Sequence, residues 1–452
     1  MEYYCLIEKQ AVVVDFGEGF SKLGFANESV PRHVCRTPEL VQRRKGKYCE
    51  STVSEAEWCK ILEEFFRKVF FFFLQANPKE RRVVICDKFY QPSPMRRAIA
   101  KVLFEIFNVP SVLFIMDLTL PLYLTGLPTG IIIDVGLRET RMMAVMEGVP
   151  LLRAYSLTNT GAILVDESLK KLLEENAEKK KEKEQMKLIA KMTPETLEDV
   201  KVRACYVRFS LKKRQAEEKE KEKEGEEGGA PAAAAGAAAA GGGATLKPKP
   251  AEVEEEDSGP PAFDFVSEKD AHYFIEKKLF LTVPAEARWK ACEEFFEEGD
   301  ERLSLQQLFI QLLEKVGVDC RRQVVQNIIL CGGSVHLRGF RERLASEISK
   351  ALKKHPRFSK LAEFATFADP VFPPVSSLFV GAAVYSTLEG VKDYTSADWQ
   401  ANKLLPDWAS SSPLVSLDDL EENKQQAGGK QQDNKEKGEE KENEAQSPTG
   451  VN

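Results

Sequence analysis

Two short stretches of the chain share one pattern of apolar and polar positions. Residues 11–17 (AVVVDFG) and 130–136 (GIIIDVG) each run through three β-branched residues and end in Asp-x-Gly. A second strand-like run follows each stretch and ends near Gly24 and near Gly148. A β-branched run that stops at glycine is typical of a buried strand entering a turn. The pattern therefore predicts two similar β-hairpins within a pseudo-duplicated α/β fold.

Helical periodicity appears after the first hairpin. Between Trp58 and Leu74 apolar residues recur at i, i+3 and i+4, which predicts an amphipathic helix with Phe70–Phe73 packed in the core. The same reasoning predicts a strand at 82–86, a helix at 95–107, a strand at 327–330 and a helix through 340–344.

Two segments lack the apolar residues that a core needs. Residues 214–261 combine Glu-Lys alternation with Ala-Gly repeats, and residues 421–452 are rich in Glu, Lys, Gln and Asn. Such compositions bury too little apolar surface to offset the entropy of ordering the chain. We expect a disordered insert and a disordered tail.

Charge and cysteine content narrow the classes of function. The 64 Lys and Arg against 71 Asp and Glu give a net charge of −7, which argues against a dedicated nucleic-acid binder and favours protein partners. No stretch approaches the roughly 18 apolar residues of a membrane span. The nine cysteines form no Cys-x-x-Cys pair, so neither a disulfide framework nor a zinc site is indicated, and we expect reduced thiols in a cytosolic protein.

The glycine turns are suited to binding phosphate. Glycine lets backbone N–H groups approach phosphate oxygens, a nearby lysine adds a positive charge, and aspartate can hold the waters of Mg²⁺. Three such elements occur in order along the chain: Asp15–Lys22, Asp134–Arg138 and Leu330–Ser334. One turn alone would be weak support, whereas three in order are more specific.

With these turns the chain resembles the actin superfamily. Further matches are residues 98–110, 199–207, 330–344 and 379–383, and the likeness runs from about Ala11 to Trp408. The resemblance implies an α/β, actin-like fold of two pseudo-duplicated domains around a nucleotide cleft. The implied halves are residues 1–125, with a short second subdomain at about 35–54, and residues 126–420, interrupted by the insert.

The resemblance also implies which residues would contact a nucleotide. ATP or ADP as a structural ligand is one alternative, and turns that only join strands are the other. The implied nucleotide-binding residues are Asp15, Gly17, Gly19, Lys22, Asp134, Gly136, Lys201, Gly332, Gly333 and Ser334.

Several of these positions depart from conventional actin. The hydroxyl residue that faces the γ-phosphate there is Glu18 here, and the second Asp and Gly of the second turn are Leu137 and Arg138. The glutamine that orients the attacking water matches Asp117, and a ribose-contacting glutamate matches Val202. A carboxylate beside phosphate is repulsive, and hydrolysis needs positioned water and metal charge. We therefore expect no ATP hydrolysis and no catalytic residue.

Two of these substitutions suggest a compensating pair. In the actin fold the first and second turns face each other, so Glu18 would lie near Lys22 or Arg138 and take the place of a phosphate. The alternative is an exposed Glu18 with Arg138 in solvent.

Within the superfamily, residues 83–85, 107–113 and 405–408 most resemble the actin-related proteins at the pointed end of dynactin. That likeness implies a cytoplasmic, cytoskeletal subunit that caps a short filament, with other dynactin subunits as partners and dynein as an indirect one. A shortened second subdomain and the insert both fall on the implied pointed face. One alternative is a nuclear subunit of a chromatin-remodelling complex, and another is an active ATPase or sugar kinase, which Leu137 and Arg138 oppose. A third is an actin-fold scaffold of some other complex.

Overall fold

The computed structural model describes residues 9–38, 53–208, 269–276, 279–299, 302–388, 391–403, 405–406 and 413–414. The predicted insert at about 214–261, the tail at 421–452 and residues 39–52 of the predicted second subdomain lie outside the described residues. The contacts divide the chain into two units. The first comprises Met1–Ala162, Gly299–His336 and Ser349–Asn452, and the second comprises Ile163–Glu298 and Leu337–Ile348. The predicted halves, 1–125 and 126–420, stay a prediction.

Strands and helices are both abundant, as an α/β fold requires. The strands are β1 Val12–Phe16, β2 Phe20–Phe25, β3 His33–Arg36, β4 Val83–Asp87, β5 Ser111–Met116, β6 Gly130–Val135, β7 Thr140–Met146, β8 Val149–Pro150, β9 Ser156–Thr158, β10 Ala271–Glu276, β11 Leu279–Val283, β12 Ile328–Cys331, β13 Tyr394–Thr395, β14 Leu405–Pro406 and β15 Pro413–Leu414. The α-helices are α1 Glu55–Lys68, α2 Ser93–Lys101, α3 Leu122–Thr125, α4 Ala162–Lys180, α5 Lys183–Lys191, α6 Pro194–Ala204, α7 Ala285–Lys290, α8 Leu305–Lys315, α9 Val318–Val325, α10 Phe340–Lys354, α11 Ser377–Tyr385 and α12 Ser396–Asn402.

The first unit contains two mixed sheets of related topology. One sheet has the order β13-β5-β4-β1-β2-β3, and the other has the order β12-β6-β7-β8 with β9 paired to β7. In both, an antiparallel hairpin (β1–β2 or β6–β7) is extended by a strand parallel to its first member (β4 or β12). The two predicted hairpins and the strands predicted at 82–86 and 327–330 are confirmed.

The core lies on both faces of strand β1, because successive side chains of a strand point to opposite faces. Val12 and Val14 belong to one apolar cluster, which includes Phe66 of α1. Val13 belongs to another cluster, which includes Phe379 of α11. A strand covered on two faces reads as a continuous apolar run, and this accounts for the sequence pattern of residues 12–14.

The helix predicted between Trp58 and Leu74 is present, but its last turn differs from the prediction. Helix α1 begins at a capping box formed by Ser54 and continues into a π-helical turn, Val69–Phe73. Phe70 is fully buried, whereas Phe71 and Phe72 are 58% and 73% exposed. The prediction that Phe70–Phe73 all pack in the core is therefore wrong, because consecutive helical residues point to different sides.

The second unit is described by itself. Hairpin β10–β11 pairs antiparallel from Ala271 opposite Val283. Helix α6 is preceded by the N-cap residue Thr193, whose side chain accepts a hydrogen bond from the N–H of Thr196. Its core includes Phe295 and Phe340, whose ring centroids lie 5.3 Å apart.

Candidate functional site

The first Asp-x-Gly turn carries a buried ion pair. Asp15 ends the core run of β1 and lies opposite Lys22 of β2 in the hairpin register. Lys22 Nζ lies 2.7 Å from Asp15 Oδ2, and the side chains are 12% and 4% exposed. Burial alone would lower the pKa of Lys22, but the charge and hydrogen bond of Asp15, together with the charge of Asp134, raise it above its ordinary value. The aspartate and lysine of the predicted phosphate turn are therefore partners of each other.

The glycines of the first turn are required by close approach of neighbouring groups. Thr37 Oγ1 donates to the carbonyl of Gly17 at 2.7 Å, and Thr37 N–H donates to the carbonyl of Gly19 at 3.1 Å. A Cβ on Gly17 would lie 2.3 Å from the carbonyl oxygen of Phe20, and one on Gly19 would lie 3.1 Å from Leu137 Cδ2. Leu137, a residue of the second turn, thus packs against the first turn.

The second turn carries a more deeply buried set of charges, centred on Arg141. Asp134 lies opposite Arg141 in the β6–β7 register, and Arg141 Nη2 donates to Asp134 Oδ2 at 2.5 Å. Arg141 Nη1 lies 2.7 Å from Asp117 Oδ2, and Arg141 Nε lies 3.9 Å from Glu139 Oε1. The side chains of Arg141 and Asp117 are 6% and 2% exposed. One guanidinium therefore joins the aspartate of the second turn to the residue in the water-orienting position.

The pKa values of this set follow from burial and charge. Burial alone would lower the pKa of Arg141, but the attraction of Asp117 and Asp134 outweighs it and raises that pKa well above its ordinary value. Burial raises the pKa of Asp117, while the charge of Arg141 works in the opposite direction. An arginine stays charged under these conditions, so Arg141 is a permanent cation in the site.

Sequence reasoning missed Arg141, although a signal was present. Asp15 and Lys22 are separated by seven positions, and so are Asp134 and Arg141. Because the two hairpins are duplicated, the Asp-x-Gly-x4-Lys/Arg spacing places a basic residue opposite the aspartate in each. An alignment of the two internal repeats to their full length would have identified Arg141.

Glu18 and Arg138 form the contact that their sequence positions suggested. Arg138 Nε lies 3.4 Å from Glu18 Oε1, and the side chains are 28% and 8% exposed. The predicted approach of Glu18 to Arg138 is confirmed as an ion pair, although these two atoms lack the geometry of a hydrogen bond. That Glu18 takes the place of a phosphate stays a prediction. The alternative of an exposed Glu18 is wrong, and Lys22 is paired with Asp15.

The third turn packs against the second. Gly332 has a φ of +98°, and a Cβ there would lie 2.2 Å from the carbonyl oxygen of Val135, so only glycine fits. Nothing lies within 4 Å of a Cβ built on Gly333. Ser334 Oγ lies 3.5 Å from the carbonyl oxygen of Gly136, at the limit of a hydrogen bond. The structure thus brings the second and third turns together within the first unit.

Lys201 and Val202 belong to the second unit, on helix α6. Lys201 Nζ lies 2.9 Å from Asp166, and the side chains are 6% and 14% exposed. Burial raises the pKa of Asp166, and the charge of Lys201 opposes that shift. Val202 is 66% exposed. The implied nucleotide-binding lysine therefore has a carboxylate partner in its own unit.

The arrangement of the two facing turns does not fit a magnesium nucleotide. Asp134, which would hold the waters of the metal, accepts a hydrogen bond from the Arg141 guanidinium. Glu18, a mostly buried carboxylate, occupies the position at which conventional actin has a hydroxyl residue facing the γ-phosphate. Asp117 and Glu139 add negative charge around Arg141. Asp134 and Asp117 are thus engaged by Arg141 rather than left open to a metal ion.

The described part of the chain contains neither a metal cluster nor a membrane-spanning helix. Its residues include no group of three or more His, Cys, Asp or Glu side chains arranged to bind a metal ion. None of its helices combines the length and the apolar character that crossing a bilayer demands.

A comparison with protein families agrees with the second hairpin and with the second and third turns. A sequence model of the Actin family matches residues 50–397, well over half of the chain, and the match includes the second and third turns. The predicted α/β actin-like fold is thereby confirmed. The chain belongs to the actin family.

Proposed function

We propose that this chain is a non-catalytic structural subunit that caps the pointed end of the short actin-related filament of dynactin. In that role it supports dynein-driven transport along microtubules, as a cytoplasmic component of the cytoskeleton. The non-catalytic part of the proposal rests on the two ion pairs of Arg141. Its Nη2 lies 2.5 Å from Asp134 Oδ2, and its Nη1 lies 2.7 Å from Asp117 Oδ2. The dynactin part rests on the resemblance of residues 83–85, 107–113 and 405–408.

The charges at the turns oppose hydrolysis in two ways. Attack on a γ-phosphate needs an oriented water, and Asp117, in the position of the orienting glutamine, is engaged by Arg141. It also needs a metal to neutralise developing charge, and Asp134 is engaged by the same guanidinium. We therefore expect no release of phosphate above a buffer blank when the full chain is incubated with Mg²⁺ and ATP.

Capping is supported by the contrast between two implied assembly faces. In the family, the barbed face corresponds to residues 82–110 and 323–352, which here form regular elements including β4, α2, β12 and α10. The implied pointed face contains the short 35–54 segment and the insert at 214–261. A subunit with one complete and one altered face can join a filament end and stop its growth, because head-to-tail assembly needs both faces.

Affinity purification of the tagged full chain from cells tests the proposal. We expect dynactin subunits to be recovered together with the chain, at one copy of the chain per filament. Recovery of chromatin-remodelling subunits without dynactin would contradict the proposal and favour the nuclear alternative.

A matched pair of variants tests the barbed face. Tyr90 lies within the 82–110 segment and Val202 outside both barbed-face segments, and each is 66% exposed. Because exposed aromatic residues often dominate interface energies, Tyr90→Asp should reduce recovery of filament subunits several-fold, whereas Val202→Asp should not. Equal recovery with both variants would argue against a contact through this face.

A further inference from the structure

The duplicated hairpins place a basic residue opposite each turn aspartate, but the two basic residues contact different numbers of carboxylates. Lys22 contacts one carboxylate, Asp15, at 2.7 Å. Arg141 contacts Asp134 and Asp117, and has Glu139 at 3.9 Å. A guanidinium is planar and carries five N–H donors on three nitrogens, so separate nitrogens can face separate carboxylates. Here Nη2 donates to Asp134 and Nη1 forms an ion pair with Asp117.

We propose that Arg141 is a built-in cation that takes the place of a divalent metal ion at the second turn. The two turns are then held together by the protein's own charges, and the conformation of the first unit is independent of Mg²⁺ and nucleotide. This inference rests on the proposed non-catalytic function and extends it to the regulation of the same site.

Two separate segments of the first unit supply the carboxylates that face Arg141. Its carboxylate partners come from the β6–β7 hairpin and from the turn that follows β5, so the guanidinium joins the two sheets of the first unit. The Asp117 carboxylate also accepts the N–H of Leu118 at 2.8 Å, which fixes its orientation. Oxygen ligands from separate segments are typical of Mg²⁺ and Ca²⁺ sites, where the ion links the segments.

The charges near Arg141 also connect it to the first turn. The negative charge of Asp134 contributes to the raised pKa of Lys22, so the two aspartate-cation pairs act on each other. Next to them, Glu18 and Arg138 pair across the same two turns at 3.4 Å. These contacts between opposite charges therefore lie where the family resemblance places a metal and phosphates, and each is internal to the chain.

Removal of the guanidinium tests the inference. In Arg141→Gln, the two buried carboxylates of Asp117 and Asp134 lose the guanidinium that faces them both, and a divalent ion can take its place between them. We expect Mn²⁺ or Mg²⁺ to raise the melting temperature of full-length Arg141→Gln by roughly 5 to 10 °C at a hundred times the dissociation constant. The wild-type chain should show no shift with Mn²⁺, Mg²⁺, EDTA or Mg²⁺-ATP. Bound Mn²⁺, counted by electron paramagnetic resonance, should rise from none to one per chain.

Two variants complete the experiment. Arg153→Gln, at an exposed arginine, should behave like the wild type toward Mn²⁺. If Arg141→Gln fails to fold in buffer, its refolding yield should rise when Mn²⁺ is present, and Arg141→Gln/Asp117→Asn should fold better without gaining Mn²⁺ binding.

Saturable Mn²⁺ binding by the wild type, or none by Arg141→Gln together with no effect of Mn²⁺ on its refolding, would overturn the inference. These readouts are separate from co-purification. A wild type that binds Mn²⁺ and still enters dynactin would refute the inference alone, whereas a metal-independent wild type found with remodelling subunits would refute only the proposed function.

Discussion

The ion pair between Glu18 and Arg138 leads to a double-mutant prediction. The perturbations are Glu18→Gln, Arg138→Gln and the double variant, each of which removes a charge and keeps a polar side chain. At the observed separation of 3.4 Å, Coulomb's law gives about 1 kcal/mol in bulk water and about 5 kcal/mol at an effective dielectric near 20. Desolvation of Glu18 and immobilisation of Arg138 offset part of this, so we expect a coupling free energy of about 1 to 2 kcal/mol.

The different burial of the two side chains predicts that the two single variants lose different amounts of stability. Glu18 is 8% exposed, so Arg138→Gln removes a cation that faces a mostly buried carboxylate and should cost about 2 to 3 kcal/mol. Arg138 is 28% exposed and can reach water, so Glu18→Gln should cost only about 1 kcal/mol. The single variant at the more exposed position should therefore be the more destabilised one.

Urea unfolding at neutral pH, followed by circular dichroism, measures these free energies. The surface pair Arg67 and Glu63 is the control, because its side chains are 57% and 37% exposed and its coupling should be about 0.3 to 0.5 kcal/mol. Raising the salt concentration should reduce the control coupling more than that of Glu18 and Arg138, since screening acts mainly on exposed charges. A coupling for Glu18 and Arg138 no larger than that of the control, or a greater loss in Glu18→Gln than in Arg138→Gln, would refute the reasoning.

Three further predictions concern packing and protonation. A Cβ on Gly381 would lie 2.4 Å from a backbone carbonyl oxygen, so Gly381→Ala should cost about 1 to 3 kcal/mol, whereas Gly333→Ala, which meets nothing within 4 Å, should leave the melting temperature nearly unchanged. Phe70→Ala should lower the free energy of unfolding by about 3 to 5 kcal/mol, and Phe72→Ala, at a 73% exposed position, by no more than about 0.5 kcal/mol in urea titrations; equal losses would contradict the burial assigned to each ring. Burial raises the pKa of Glu293 above its ordinary value of 4.5, against the opposing charge of a neighbouring arginine. Protonated Glu293 therefore contributes stability that is fully present below the pKa of the unfolded chain and is lost as the pH rises through the pKa of the folded chain. In a series of unfolding curves from pH 4 upward, Glu293→Gln should remove this decrease in the free energy of unfolding.

The hairpins, the amphipathic helix α1 and the glycine turns could all be predicted from the sequence. Each of these features is encoded by residues that are close together in the chain. A run of β-branched residues predicts a strand, an i, i+3, i+4 stripe of apolar residues predicts a helix, and glycines at the end of a strand predict a turn. The family resemblance added which turns would face phosphates and identified Glu18, Leu137, Arg138 and Asp117 as departures.

The sequence alone did not show what those departures do together. The position of Arg141 opposite Asp134 follows from the hairpin register, but its contact with Asp117 depends on how the turn after β5 meets the second sheet. The exposure of Phe72 likewise depends on which side of a π-helical turn meets the core. Such contacts join residues far apart in the chain, and their distances are set by strand order and packing rather than by local propensity. The tertiary structure therefore decided that the cations of this site have carboxylate partners within the chain.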